Sequence, residues 1–176
     1  MSEPKPGHAS HHHRKQAPAR VATAVITVSD TRSLETDTGG ALAESLLIEA
    51  GHPVLSREIV ADEPTEIRAV VEAQLARADI QVVLLTGGTG VAPRDQTPEA
   101  VEPLLDRVIP GFGELFRFLS YEEIGSAALL SRALAGLVDG RVVFVIPGSR
   151  GAVRLALEKL ILPEIGHLAG EAVKTR

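Results

Sequence analysis

The run Thr86-Gly87-Gly88-Thr89-Gly90 places three glycines within four residues, directly after the apolar segment VVLL at 82–85. Glycine has no side chain, so successive backbone N–H groups in such a loop can close around an anion. Phosphate binding is the chemistry this suits. Arg94 and Asp95 follow, and Thr97-Pro98-Glu99 then predicts a helix with Thr97 as N-cap, proline in the first turn and an acidic group at the positive end. Two common phosphate loops are excluded. A Walker loop needs a Gly-Lys-Ser/Thr ending, which is missing, and the dinucleotide fingerprint G-x-G-x-x-G needs glycine where Pro93 stands.

The rest of the composition narrows the chemistry further. There is no cysteine, which removes disulfides, thiolate catalysis and cysteine-ligated metal centres. Outside the first 20 residues only His52 and His167 remain, one in a Gly-His-Pro turn and one near the C-terminus, so a Ser–His–Asp mechanism is not expected. A formal charge of −5 and 3% aromatic residues give neither the basic field nor the stacking platforms that nucleic acid requires. Catalysis must therefore draw on carboxylates, hydroxyls, arginine, backbone amides and a metal held by oxygen ligands. Asp62 and Asp95 stand in two polar loops that each follow an apolar run. Asp62 reads equally as a helix-start carboxylate, and Asp95 as an Asx turn or a partner of Arg94. Ser149 can bind a phosphate at a helix start or simply cap the helix.

These groups need a scaffold, and the chain predicts one domain of alternating strands and helices. VATAVITV at 21–28 is a buried strand ending in the polar loop Ser29-Asp30-Thr31-Arg32. A helix opens at Asp37-Thr38-Gly39-Gly40 and closes at Gly51. HPVLSREIV is a second strand, Asp62-Glu63-Pro64-Thr65 starts a second helix, and Ile80–Leu85 is a third strand, apolar throughout as expected when both faces are covered. Helices are predicted from about Thr97, from about Gly111-Phe112-Gly113-Glu114, and through Ala127–Ala133. Asp139-Gly140 marks a hairpin between Ala133–Val138 and VVFVI, and Pro147-Gly148-Ser149 leads into a final helix, GAVRLALEKLIL. The expected fold is a three-layer α/β/α sandwich with a mostly parallel central sheet. The loops at 29–39, 60–64, 86–97 and 147–150 then fall at the C-terminal strand ends, where such sheets bind ligands. Residues 1–20 hold three prolines, four histidines including His11, His12 and His13, and no large apolar core. They are expected to form a disordered tail before a domain at 21–168 and a short tail at 169–176. No run has the pattern of a signal peptide or membrane anchor, so a cytoplasmic protein with no membrane contact is expected.

With the elements in place, T-G-G-T-G-x-x-x-R-D-x-T-P-E-A at 86–100 resembles the signature of the molybdenum cofactor biosynthesis family of MoaB and MogA. V-S-D at 28–30, G-F-G-E at 111–114, L-S-Y-E-E-I-G at 119–125 and P-G-S at 147–149 extend the resemblance over about residues 20–168. It implies a molybdopterin-binding fold and, in active members, Mg²⁺-dependent transfer of AMP from ATP to the terminal phosphate of molybdopterin. By the same resemblance Asp62 and Asp95 match the two aspartates used for metal positioning and adenylyl transfer. Substrate contacts are then expected from Ser29, Asp30, Thr86, Gly87, Gly88, Thr89, Gly90, Glu114, Pro147, Gly148 and Ser149. For Ser29 and Asp30 a solvated turn, and for Glu114 a helix-start carboxylate, account for the residue types as well.

The stretch 111–136 looks more like the MoaB branch, some members of which have lost the aspartate corresponding to Asp62. This chain keeps it, which favours an active adenylyltransferase. A noncatalytic molybdopterin binder, and an oligomeric carrier handing the pterin to a metal-insertion enzyme, are the alternatives. The resemblance also implies a homo-oligomer, with a trimeric core and a hexamer as the larger assembly.

Overall fold

The computed structural model describes residues 18–174; the expected N-terminal tail lies almost wholly outside the described residues. Six strands form one sheet: β1 (Thr23–Val28), β2 (Val54–Val60), β3 (Val82–Thr86), β4 (Arg107–Val108), β5 (Leu134–Val138) and β6 (Arg141–Ile146), in the order β2-β1-β3-β6-β5-β4. β2, β1, β3 and β6 run parallel, with Thr27 level with Thr86 and Thr86 level with Ile146. β5 is antiparallel to β6, as the Asp139-Gly140 turn predicts, with φ positive at both turn residues. The sheet nevertheless does not end at β5. Arg107–Val108 adds a two-residue edge strand too short to leave a periodic signal in sequence.

Helices α1 (Thr38–Glu49), α2 (Pro64–Leu75), α3 (Thr97–Val101), α4 (Pro110–Ile124), α5 (Arg150–Ala156) and α6 (Leu162–Ala172) cover the two faces. Alternation along β1 shows why its strand is apolar throughout. Val25 packs with Leu47, Phe116, Phe144 and Ile161 under α1, α4, α5 and α6, while Ala24, Ile26 and Val28 pack with Ile67, Val71 and Val101 under α2 and α3. The three-layer α/β/α arrangement follows.

Several boundaries differ from the sequence expectation, each for a local reason. Gln96, not Thr97, is the N-cap of α3, because the Thr97 hydroxyl donates instead to the Gly87 carbonyl at 2.9 Å. The predicted helix at Ala127–Ala133 is a 3₁₀ segment, Gly125–Leu130: Gly125 takes φ +64° and ends α4, and the chain turns tightly before feeding β5. The last helix is interrupted by a π turn at Leu157–Ile161 just before Pro163, which has no amide proton for the Lys159 carbonyl. It then runs on to Ala172, past the expected boundary at 168, because Ile165 and Ala169 are buried in the core. Ser149 caps α5 as expected, accepting from the Ala152 amide, and Asp37 caps α1, accepting from the Gly40 amide. No helix among the described residues is long and apolar enough to cross a membrane.

Candidate functional site

Parallel β1, β2, β3 and β6 deliver their following loops to one edge of the sheet. The glycine loop after β3 lies at the centre of that edge. A β-carbon on Gly88, at φ +62°, would stand 2.2 Å from the Thr97 hydroxyl oxygen and 2.8 Å from an Asp62 carboxylate oxygen, so only glycine fits where this loop passes Asp62. The loop's polar groups divide into two kinds. The Gly87 amide and the Thr86 hydroxyl are tied to the β6 strand end, donating to the Ile146 carbonyl at 3.0 Å and the Pro147 carbonyl at 3.2 Å. No hydrogen bond joins the amides of Gly88, Thr89 and Gly90 to another described residue. Those three are the donors open to an anion.

A cavity of about 410 Å³ faces them. Gly87, Gly88, Thr89, Gly90 and Asp95 form one side, and Pro147, Gly148, Ser149 and Ala152 the floor at the start of α5. The opposite wall is Phe116, Ser120 and Ile124 of α4 with Ala127, Ala128, Leu130 and Ser131 of the 3₁₀ segment. A polar cradle against an apolar wall suits a ligand with a flat ring and a phosphate. A smaller cavity of about 140 Å³ lies beside it, lined by Ser29, Arg32, Asp37 and Thr86 among others, and shares Gly87 and Gly148 with the first. Those two glycines are the partition, the site where a Gly148 β-carbon would come within 3.3 Å of the Gly87 α-carbon.

The two aspartates come to this edge from different strand ends. Asp95 accepts the Ala92 amide at 3.0 Å, and its carboxylate lies 2.6 Å from where a Gly90 β-carbon would be. Asp62, in the loop after β2, accepts the Gln96 amide at 3.1 Å. Burial pushes the Asp62 carboxyl above its ordinary 3.8, opposed by the Gln96 hydrogen bond and reinforced by the negative charges of Asp95 and Asp30. Asp30 bridges the loops: one oxygen accepts the Asp62 amide at 2.8 Å and the other pairs with Arg94 at 2.7 Å. Ser29 caps its own turn, accepting from the Thr31 and Arg32 amides.

Of the residues expected from sequence, Gly87–Gly90, Asp95 and Pro147–Ser149 line one cavity, Thr86 and Ser29 line the smaller one beside it, and Asp62 and Asp30 lie next to the glycine loop. Glu114 is exposed and does not line this cavity. The apolar wall was not foreseen from sequence, nor was Arg132, whose guanidinium bonds the Gly90 and Asp95 carbonyls and the Glu99 carboxylate. That bond holds the Glu99 carboxyl below its usual range. A basic residue leading into a strand carries no local mark of such a role.

Comparison with known proteins agrees with this geometry. The profile of a family described as a probable molybdopterin binding domain matches residues 24–167. Molybdenum cofactor biosynthesis protein B of Bacillus cereus is 56% identical over 160 residues, 90% of this chain and 95% of that protein. Its counterpart in Bacillus subtilis is 51% identical over 165 residues, 93% of this chain and 97% of that protein. Among solved structures, a molybdenum cofactor biosynthesis protein B superposes with a TM-score of 0.86 at 55% identity, covering 89% of this chain and 98% of that one. The tungsten cofactor synthesizing protein MoaB from Pyrococcus furiosus gives 0.81 at 37% identity, covering 90% and 100%. Motifs, fold and full-length similarity converge, and the chain belongs to the MoaB/MogA family of molybdenum cofactor biosynthesis proteins.

Proposed function

We propose that this protein binds molybdopterin in the 410 Å³ cavity and, with Mg²⁺ and ATP, adenylylates its terminal phosphate with release of pyrophosphate. The observation that carries the reading is the meeting of three uncommitted amides, Gly88, Thr89 and Gly90, with two carboxylates from separate strand ends. In the reaction a terminal phosphate oxygen of the pterin attacks the α-phosphorus of ATP, and the bond to the β-phosphate breaks. Two anions must be brought together, so the protein's work is positioning and charge compensation. The Gly88–Gly90 amides receive the pterin phosphate, and the ring lies against Phe116, Ile124 and Ala128. Arg94, 64% exposed and held by Asp30, is available to a polyphosphate at the same edge.

Asp62 and Asp95 fit a Mg²⁺ bound with its nucleotide. Each carboxylate has one oxygen occupied by a backbone amide, leaving the other oxygen for a cation. Mg²⁺ commonly takes one or two carboxylates and completes its shell with phosphate and water. Such an ion supplies neutralisation of the polyphosphate charge.

Incubation with molybdopterin, ATP and Mg²⁺ tests the reading. Adenylylated pterin and stoichiometric pyrophosphate are expected. Tight pterin binding with no pyrophosphate would instead make the protein a noncatalytic binder or a carrier for a metal-insertion enzyme.

A further inference from the structure

The geometry points to Arg132 as a positioning residue that sets both aspartates and the open amide of Gly90, acting through the backbone of the glycine loop without touching substrate. This rests on the adenylyl-transfer reading for its effect on turnover; the clamp itself is a property of the loop.

Arg132 stands between the cavity wall and β5, and it reaches the loop with three donors and α3 with a fourth. Its backbone N–H donates to the Thr89 carbonyl at 3.1 Å. Its Nε donates to the Gly90 carbonyl at 2.8 Å, its Nη2 to the Asp95 carbonyl at 2.6 Å, and its Nη1 to the Glu99 carboxylate. One rigid, planar group therefore fixes the span from Gly90 to Asp95. Within that span the Asp95 amide donates to the Ala92 carbonyl at 2.9 Å and the Ala92 amide to the Asp95 carboxylate at 3.0 Å. The carboxylate's place is thereby set by the distance between the two clamped carbonyls.

The planar trans peptide extends the effect. A carbonyl and the N–H that follows it point in opposite directions. Holding the Thr89 carbonyl turns the Gly90 N–H the other way, and Gly90 lines the cavity. Holding the Asp95 carbonyl likewise turns the Gln96 N–H away from Arg132, and that N–H donates to Asp62 at 3.1 Å. The side chain thus orients the amide that anchors Asp62 and fixes the backbone of Asp95, while the backbone N–H of the same residue orients the Gly90 donor. Ser131 and Leu130 line the cavity and Arg132 does not, which assigns it to positioning.

The test pairs hydrogen exchange with kinetics on the full chain. In Arg132→Ala, the hydrogen-bonded amides of the 88–97 loop, those of Ala92, Asp95, Gln96 and Thr97, should exchange at least about tenfold faster while β1, β3 and β6 keep their protection. The kcat for pyrophosphate release should fall by about 10²-fold, with the KM for ATP changing by less than about threefold. Millimolar guanidinium should partly restore the alanine variant. Arg132→Lys, which replaces a fork by a single point, should resemble alanine without such rescue, and it serves as the test if the alanine variant does not fold. Unchanged exchange in 88–97 overturns the clamp. Faster exchange throughout the sheet, with kcat and KM affected together and no rescue, also overturns it and leaves Arg132 a general stability residue. If the wild type releases no pyrophosphate, the adenylyl-transfer reading fails and exchange alone judges the clamp.

Discussion

Asp62 and Asp95 differ in what surrounds their carboxylates, and the difference separates their expected mutant behaviour. Asp95 closes its own loop by accepting the Ala92 amide, an acceptor role that asparagine keeps. Asp95→Asn should therefore lower adenylyl transfer by at least about 10²-fold, the order of a lost electrostatic group, with little change in melting temperature; near-normal turnover would remove Asp95 from the machinery. Asp62 is held in its folded surroundings with a carboxyl raised above 3.8 by burial, with Asp95 and Asp30 adding repulsion. The folded state thus binds its proton more tightly than the unfolded chain. This group's favourable contribution is full below 3.8 and is lost as pH rises through the raised folded value, so ionised Asp62 weighs against folding at neutral pH. Asp62→Asn keeps an acceptor for the Gln96 amide and removes the charge. It should melt higher than wild type at pH 7, by a margin that narrows toward pH 4, while losing turnover. A lower melting temperature at pH 7 would mean that the charged carboxylate is net stabilising where it sits.

The elements differ in how far their chain neighbourhood announces them. Glycine spacing and the apolar runs beside it mark the β3 loop, because the requirement at Gly88 is met by residue type alone. Ser149 was legible as a cap because a cap bonds within its own first turn. Thr97 was misread as a cap because its hydroxyl is claimed by Gly87, ten residues back, and no local rule reports that competition. The apolar wall and the reach of Arg132 over 37 and 42 residues depend on which side chains tertiary packing brings together. His52 shows the same dependence on distant partners. It lies in the turn after α1, is buried, and accepts the Val21 amide at its Nδ1 at 3.1 Å, which fastens the chain leading into β1. Burial lowers its pKa from 6.5, so the stability it gives is present above 6.5 and is lost as pH falls through the lower folded value. Melting curves between pH 8 and 5 should fall more steeply for wild type than for His52→Asn, whose amide oxygen can replace Nδ1. His167, beside Glu164 and Glu171, is present in both proteins and cancels in the comparison. Parallel curves would deny His52 this role.

At the scale of the molecule, α4 divides its large apolar side chains between two destinations. Phe112 and Phe116 enter the core, where Phe112 meets Phe144 with ring centroids 5.1 Å apart. Leu115, Phe118, Tyr121 and Ile124 stay exposed, as do Leu129 and Leu130 in the 3₁₀ segment, with Phe118 and Tyr121 each 63% exposed and Leu129 72%. So many large apolar side chains left exposed on one helix and the segment after it favour an interaction site over a free surface. In keeping with the family resemblance, we expect a trimer as the core assembly and a hexamer as the predominant solution species. Light scattering at micromolar concentration checks this: a monomer mass would refute both, and a stable trimer would remove only the hexamer. The parallel sheet has one further effect. Val21 leads into the start of β1, at the edge of the sheet away from the glycine loop, and Ala172 finishes beside Gly140, in the hairpin at that same remote edge. Val21 and Ala172 therefore both stand on the side turned away from the glycine loop. Such a unit can be strung between other domains, or tethered to a surface by either flank, with its glycine-loop edge still facing outward.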